Sequence, residues 1–369
     1  MIDFQNLFNG VFKDKTVFVT GHTGFQGTWI SLLLNRLGSN VIGFSKNIPT
    51  NPSFYEMTNL KNSIIDIVGD ITNLTHLQES IKKHDPDIIL HFAAQSIVRT
   101  SYSSPLETFQ SNVMGTANIL DCLRENNVKT KVCVIVTSDK CYENKEWDFS
   151  YRENDQLGGT DPYSASKGAA EIITSSYRSS FFNSNTQKPK TVISTVRAGN
   201  VIGGGDWATD RIIPDCVRSI TSGKKIFLRN PTSIRPWQYV LEPILGMLIL
   251  SEKMFSKPLD YEGPWNFGPN NSNSSISVKL LVEQLIKNWG MGSYDIKSNY
   301  EPHEAHTLRL DSTKSNTKLN WKPTYSLHET IIDTVSWYKN FYQKNNNIEE
   351  FSNILLDKFL TKAQSMNII

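Results

Sequence analysis

Tyr163 and Lys167 stand four residues apart in Tyr163-Ser164-Ala165-Ser166-Lys167, and upstream the polar string Thr137-Ser138-Asp139-Lys140 ends an apolar run. On a helix, positions i and i+4 share a face, so the Lys167 ammonium can sit under the Tyr163 ring and favour its phenolate. A phenolate held in this way is a general base at neutral pH. A surface helix with an ordinary tyrosine and lysine has the same spacing, and a glycine loop far upstream is what turns the pair towards chemistry.

That loop is Gly21-His22-Thr23-Gly24-Phe25-Gln26-Gly27. It follows the apolar run Thr16-Val17-Phe18-Val19-Thr20 and precedes the helical pattern Trp29, Ile30, Leu33, Leu34, Leu37. Gly21 permits the tight turn, Gly24 lets the backbone approach a pyrophosphate, and Gly27 lets the helix pack close to the strand while its N-terminus attracts the anion. The spacing is G-x-x-G-x-x-G rather than G-x-G-x-x-G. Thr23, Phe25 and Gln26 complete the expected cofactor cradle. A carboxylate after Val41-Ile42-Gly43-Phe44 would grip the ribose of NAD and repel the 2′-phosphate of NADP. Ser45 and Lys46 stand there instead, with Lys46 also readable as a solvated loop charge. Asp70, between Gly69 and Ile71, is placed to read an adenine amino group, and Ala93, Ala94 and Gln95 lie where small residues meet the cofactor's flat face.

The elements that must position these residues are legible as an alternation. Apolar runs at 16 to 20, 41 to 44, 64 to 68, 87 to 92, 132 to 137 and 191 to 196 alternate with helical stretches at 27 to 37, 74 to 84, 107 to 126 and 162 to 181. This predicts an α/β, Rossmann-type, doubly wound parallel sheet with helices on both faces. After Val201 the texture changes to Gly203-Gly204-Gly205-Asp206-Trp207 and proline-broken segments. Residues 1–203 are therefore expected to form the dinucleotide-binding domain, rejoined by the chain around 236–270, with 204–235 and 271–344 as a smaller C-terminal substrate lobe. Residues 345–369 read as an amphipathic helix through Phe351, Ile354, Leu355, Phe359 and Leu360, an added packing or oligomer helix.

At 369 residues the chain exceeds one ordinary core, and 38% hydrophobic residues with a mean hydropathy of -0.35 indicate a soluble globular protein. A net charge of +2 with dispersed Lys and Arg leaves no footprint for nucleic acid. Met1 to Asn6 show no basic segment before an apolar core and no apolar run approaches a membrane span, so a cytoplasmic protein is expected. Cys122, Cys133, Cys141 and Cys216 have no metal or redox spacing and read as free thiols, Cys141 as a packing residue. The histidines are scattered, His303 and His306 lying in a polar stretch, so no metal site is expected.

Taken together, these residues resemble the extended short-chain dehydrogenase/reductase family, and within it the sugar-nucleotide 4,6-dehydratases, from Lys15 to about Trp337. The most specific pieces are Gly21 to Phe25, Thr137 to Tyr142, Asp161-Pro162-Tyr163-Ser164, Arg197 to Trp207, and Arg235-Pro236-Trp237-Gln238. Most family dehydratases read Thr-x-Asp-Glu; Lys140 replaces the glutamate, a departure similar to the branch that takes CDP-glucose. The resemblance implies NAD, which the reaction leaves unchanged, a homodimer or larger homo-oligomer, and a place in deoxysugar and surface-polysaccharide (O-antigen) synthesis.

It also implies roles. Tyr163 takes the proton of the sugar 4-hydroxyl, which Thr137 positions, while C4 gives hydride to the nicotinamide. The 4-ketone then acidifies C5. Asp139 is the acid for the C6 hydroxyl, which requires burial to keep it protonated, and Lys140 is the candidate C5 base. The alternative gives Lys140 an electrostatic role, with Glu143 or Tyr142 removing the proton. Arg235 leads as diphosphate ligand, followed by Arg211, Asn200 and Ser96, while Arg229 reads as a solvated charge. Trp207 and Trp237 either stack on a ring or pack the lobe. A sugar-nucleotide 4-epimerase or reductase would keep Tyr163 and Lys167 but need no acid and base after Thr137.

Overall fold

Val17, Phe18 and Val19 of the first strand, β1 (Thr16–Thr20), are wholly buried, which a strand achieves only when both faces of its sheet are covered. The structure is a computed structural model that describes residues 2–125, 128–182, 191–269, 275–296, 307–343 and 347–369. His303 and His306 lie outside the described residues.

Six further strands join β1: β2 (Asn40–Ser45), β3 (Ile65–Val68), β4 (Ile88–His91), β5 (Val132–Val136), β6 (Val192–Ala198) and β7 (Gly263–Phe267). They form one seven-stranded sheet in the order β7-β6-β5-β4-β1-β2-β3, parallel at every pairing. Parallel neighbours demand crossovers, and α1 (Phe25–Arg36), α2 (Leu74–His84), α3 (Gly115–Glu125) and α4 (Pro162–Phe181) supply them. Because side chains alternate along a strand, β1 feeds two cores. Val17 and Val19 join one with Trp29, Leu33 and Leu34, whereas Phe18 joins the other with Ile42, Ile89, Ile119 and Leu120. The strand order reverses between β1 and β4, which opens a crevice at the carboxyl ends of the strands.

Beyond β6 the chain builds a smaller region from short ladders. Ile234–Pro236 pairs antiparallel with Ser275–Ser277, and Ile226–Leu228 pairs parallel with Tyr294–Ile296. The helices here are α5 (Ile212–Thr221), α7 (Val278–Trp289), α8 (Leu327–Gln343) and α9 (Ile348–Ser365), whereas α6 (Leu241–Ser256) returns to pack on the sheet against β5, β6 and β7. Of the two roles expected for the C-terminal helix, packing is the one observed. Leu355, Leu356, Phe359 and Leu360 of α9 are buried in the main core, Phe359 lies 5.0 Å from the Tyr325 ring and 5.9 Å from that of Tyr239, and Trp337 donates to Ser352 at 2.8 Å.

Phe359→Ala should therefore cost about 3–5 kcal/mol in urea unfolding, the price of a buried aromatic. A loss below about 0.5 kcal/mol would mean that α9 is an appendage rather than part of the core.

Candidate active site

The crevice is a cleft of about 1310 Å³ between the sheet and the C-terminal region. At one end is the glycine turn. Gly21 has φ of +74°, and a Cβ there would stand 2.8 Å from the Ala93 nitrogen; at Gly27 a Cβ would stand 2.0 Å from the Gly21 carbonyl oxygen. Both sites exclude any larger residue. Gly24 caps α1 with an extended backbone, so the unpaired N–H groups of the first turn, with Phe25, Gln26 and Thr23 around them, border the cleft. A glycine turn, a helix N-terminus and a cleft of this length fit a dinucleotide, pyrophosphate first.

The end of β2 differs from expectation. Ser45 is buried, its hydroxyl 2.9 Å from Nδ1 of His22, whose Nε2 lies 2.9 Å from Asp66; Tyr55 donates to the other Asp66 oxygen at 2.8 Å. Burial depresses the pKa of His22 against the pull of Asp66. Lys46 is a solvent-exposed loop charge that pairs with Asp70 at 3.1 Å. Asp70 also accepts from the Thr72 nitrogen and hydroxyl at 2.9 and 2.8 Å, so the carboxylate expected to read adenine is anchored in its own loop at the cleft wall. Ile71, Ala93 and Ala94 line the same wall. Gln95 does too, but its amide donates to Thr108 at 2.9 Å and its oxygen accepts from the Ile97 nitrogen. Asn112 bridges the Gln95 carbonyl and the Ser166 hydroxyl, both at 2.9 Å, tying this loop to α4. The Gln95 side chain braces the wall.

At the chemical end, α4 starts where it does because Asp161 accepts from the Ser164 nitrogen at 2.9 Å and Pro162 suits the first turn. Tyr163 follows at once, and one turn later the Lys167 ammonium lies 6.0 Å from its ring centroid and donates to the Val136 carbonyl at 3.3 Å. The expected phenolate is not the state of the free chain. Burial pushes Tyr163 up to about 12, Asp139 adds to the rise, and the Ser138 hydrogen bond and the Arg211 charge only partly oppose it. Burial also draws Lys167 down to about 8 against the pull of Cys141 and Glu171. A neutral phenol of this kind becomes a base when a further cation lies against it.

Thr137 lines the cleft with Tyr163 and Lys167. Its hydroxyl donates to Glu171, with the Val196 carbonyl as second acceptor at 3.3 Å. Burial would raise Glu171, but the Arg197 guanidinium at 2.8 Å and the hydrogen bonds from Arg197, Thr137 and Thr195 outweigh it and hold the group below the usual carboxylate range. Ser138, also on the cleft wall, donates to Asp139 at 2.9 Å and caps the turn Asp139–Cys141 by accepting from the Lys140 nitrogen at 3.2 Å. Ser138 lay inside the same sequence string. Both residues line the cleft, and spacing alone does not say what each hydroxyl bonds.

Asp139 is buried, its second oxygen has no hydrogen-bond partner, and burial raises its pKa against Lys140, Ser138 and Arg235. Asp139, Lys140, Tyr163 and Lys167 all line the cleft. Tyr142 and Glu143 do not. The Tyr142 hydroxyl donates to Asn266 at 2.7 Å and accepts from Arg197 at 2.8 Å, and burial drives its pKa far up, so the alternative C5 bases fall away. Cys141 is buried with its thiol pushed well up by burial, a packing residue.

Along the opposite wall run Asn200, Arg211 and Arg235, with Ser96 facing them. Arg211 bridges Asp206 at 3.0 Å and Ser96 at 2.9 Å; Arg235 donates to the Ile234 carbonyl at 3.0 Å. Arg229 is not solvated alone: it shares Asp210 with Arg99, each at 3.1 Å, across the cleft mouth. Trp207 packs edge-on against Trp337, Tyr338 and Phe341, and Trp237 donates to the Ile276 carbonyl at 3.2 Å, so both are packing residues at the cleft wall. Among the described residues no group of three His, Cys, Asp or Glu side chains is placed to hold a metal ion, and no helix is long and apolar enough to cross a membrane.

Residues 18–334 match the family model described as GDP-mannose 4,6 dehydratase. A CDP-glucose 4,6-dehydratase of Salmonella typhimurium is 44% identical over 342 residues, 92% of this chain and 93% of that one. In fold, a dTDP-glucose 4,6-dehydratase of Streptomyces venezuelae solved with NAD superposes with a TM-score of 0.76 at 21% identity, covering 90% of this chain and 99% of that chain. A UDP-glucose 4-epimerase of Thermotoga maritima solved with UDP-glucose superposes equally, TM-score 0.76 at 19% identity, over 89% and 99%. Dehydratases and epimerases thus share the scaffold. The chain belongs to the GDP-mannose 4,6-dehydratase family of the extended short-chain dehydrogenases/reductases and is a nucleotide-sugar 4,6-dehydratase, a hydro-lyase.

Proposed function

We propose that the chain converts CDP-glucose into CDP-4-dehydro-6-deoxyglucose with NAD as its resident cofactor. The observation that carries this reading is Lys140 beside the buried Asp139 at the head of the cleft, on a chain 44% identical to a CDP-glucose 4,6-dehydratase. Gly21, Thr23, Gly24, Phe25, Gln26 and Gly27 would hold the pyrophosphate side of NAD, and Asp70, Ile71, Ala93 and Ala94 its adenosine and flat face. NAD bound there would supply the hydride acceptor for C4 and the hydride donor for C6, and its positive charge would lower the Tyr163 phenol.

Ser138, rather than Thr137, holds the 4-hydroxyl, and Tyr163, supported by Lys167, accepts its proton. The resulting ketone acidifies C5. Lys140 takes the C5 proton while Asp139 protonates the C6 hydroxyl, which leaves as water. Lys140 then returns the proton to C5. Arg235 and Arg211, with Asn200 and Ser96, hold the diphosphate and the sugar. An epimerase has no leaving hydroxyl to protonate, and a buried acid beside Tyr163 would be idle in it.

The product suits deoxysugar synthesis for a surface polysaccharide such as O-antigen. Four buried free cysteines fit a reducing compartment, and we place the enzyme in the cytoplasm. Exposed Leu106, Phe109 and Met114, beside Ile172 and Phe181 of α4, offer an apolar face for a second copy of the chain. Leu106→Asp should shift the sedimenting species from dimer to monomer; a wild-type chain that sediments as a monomer at assay concentration would refute the dimer.

Tyr163→Phe should cost ~10²-fold or more in turnover while the variant still binds nucleotide, since only the proton acceptor is removed. Near-normal turnover would exclude Tyr163 as the base.

Asp139→Asn and Lys140→Ala should still form 4-keto sugar and reduced nicotinamide yet release little water, and in Lys140→Ala the exchange of the C5 hydrogen with deuterium should cease. Normal dehydration by Lys140→Ala would remove it from the mechanism. Asp139 has a second, independent signature in stability. Its pKa is raised above the ordinary 3.8, so the folded state binds the extra proton, and the stability this group contributes is present below that value and lost as pH rises through the folded pKa. Asparagine does not titrate, so Asp139→Asn should unfold later than wild type at neutral pH and lose that advantage near pH 4. An equal difference at both pH values would show that Asp139 is not held protonated.

A further inference from the structure

CDP-glucose differs from UDP-glucose only in its base, which lies on the other side of the diphosphate from the sugar. Helix α5 carries the cleft wall onward from Arg211, one of the proposed diphosphate ligands. Ile213, Val217 and Ile220 bury one face of the helix, and its polar face is turned to the cleft, where Arg211, Asp215, Arg218 and Ser219 line the wall. From Arg211 to Arg218 the helix rises about 10 Å, room for a ribose and a base. The short strand Ile226–Leu228 packs beside α5. Side chains alternate along it, so Ile226 and Leu228 are buried while Phe227 between them is 50% exposed and lines the cleft, a flat ring on which a base can stack.

Asp215 and Arg218 form an ion pair one turn apart, with Nη2 of Arg218 donating to Oδ1 of Asp215. The guanidinium is held in place from behind by the Trp207 carbonyl at 3.0 Å and the Ala208 carbonyl at 3.3 Å. Both side chains stay partly open, Arg218 37% and Asp215 40% exposed. A guanidinium carries more N–H groups than these bonds use, and a carboxylate more lone pairs, so the pair sets an acceptor beside donors on the cleft wall. We propose that Asp215 and Arg218 read the base as cytosine: Asp215 accepts from the 4-amino group while Arg218 donates to N3 and O2, the pattern with which guanine pairs cytosine. Uracil and thymine carry an oxygen at position 4, which meets the Asp215 carboxylate as acceptor against acceptor and is rejected. A carboxylate on the wall of a cleft that takes a diphosphate repels its substrate unless a donor is brought to it, and the cytosine amino group is that donor. The inference rests on the CDP-glucose reading and adds to it the residues that select the base.

Calorimetric titration of the purified enzyme with CDP and with UDP tests this without turnover. Wild type should bind CDP at least about tenfold more tightly than UDP, because a site built to pair one polar group rejects the analogue that lacks it. Asp215→Asn keeps the shape of the side chain but brings an NH2 that can face an oxygen, so it should weaken CDP, strengthen UDP and shift their ratio by about tenfold or more. The ratio of kcat/KM for CDP-glucose to that for UDP-glucose should move in the same direction. A further measurement needs no variant: the diphosphate of the 2-pyrimidinone riboside, which lacks the 4-amino group, should bind wild type at least about tenfold more weakly than CDP. Equal loss of CDP and UDP in Asp215→Asn would show that the pair only braces α5 and would overturn the proposal, as would equal binding of CDP and the pyrimidinone nucleotide to wild type. Failure of the CDP-glucose reading looks different, since wild type itself would then give no 4-keto-6-deoxy product from CDP-glucose, or would dehydrate UDP-glucose in preference, and both readings would fall together.

Discussion

The buried ion pair between Arg197 and Glu171 is the contact on which the site depends. It joins the middle of α4 to β6 at 2.8 Å, and both side chains are almost wholly shielded from water. From it the bonds spread outward. Glu171 takes the protons of Thr137 and Thr195, and Arg197 reaches the Tyr142 hydroxyl at 2.8 Å and the Glu153 carbonyl at 2.9 Å; Tyr142 in turn binds Asn266 of β7. Removing one partner from such a pair costs about 3–5 kcal/mol, because the other is left charged in a dry interior. What the pair secures is alignment: α4, which carries Tyr163 and Lys167, is fixed against the end of β5, which carries Ser138, Asp139 and Lys140.

Burial sets the chemistry above that pair, and it acts on the two working groups with the same sign but opposite consequences. It raises Asp139, which favours a proton donor, and it raises Tyr163, which disfavours a proton acceptor. Half of the machinery is therefore ready in the free chain, and the other half waits for positive charge to enter the cleft. Lys167, held near 8 by the same burial, adds a charge that fades above that pH.

The C-terminal helix shows burial working on stability instead. The matching family model ends at residue 334, yet Phe359 and its neighbours fill the space over Tyr239 and Tyr325, and Lys358 reaches the buried Asp333 at 2.6 Å. Tyr239 follows Gln238, whose amide binds the Phe267 carbonyl at the end of β7. The helix thus supports the far side of the substrate wall without touching the cleft.

Much of this was legible in the chain itself. Period-two and period-3.6 apolar patterns carry the alternating strands and helices, because burial on both faces of a parallel sheet leaves little choice of residue; the glycine turn and the Asp161-Pro162 start of α4 are local, backbone-level instructions. Asp139, Lys140, Tyr163 and Lys167 were readable for the same reason, each sitting at a fixed offset from such an instruction. The direction of a hydroxyl is not local. Where the Thr137 proton goes depends on Glu171, 34 residues away on another element, and what Ser45 and Lys46 bond depends on His22 and Asp70. Hydrogen-bond partners, burial and the pKa values that follow from them are properties of neighbours brought together across the sequence, and only the tertiary structure decides who those neighbours are.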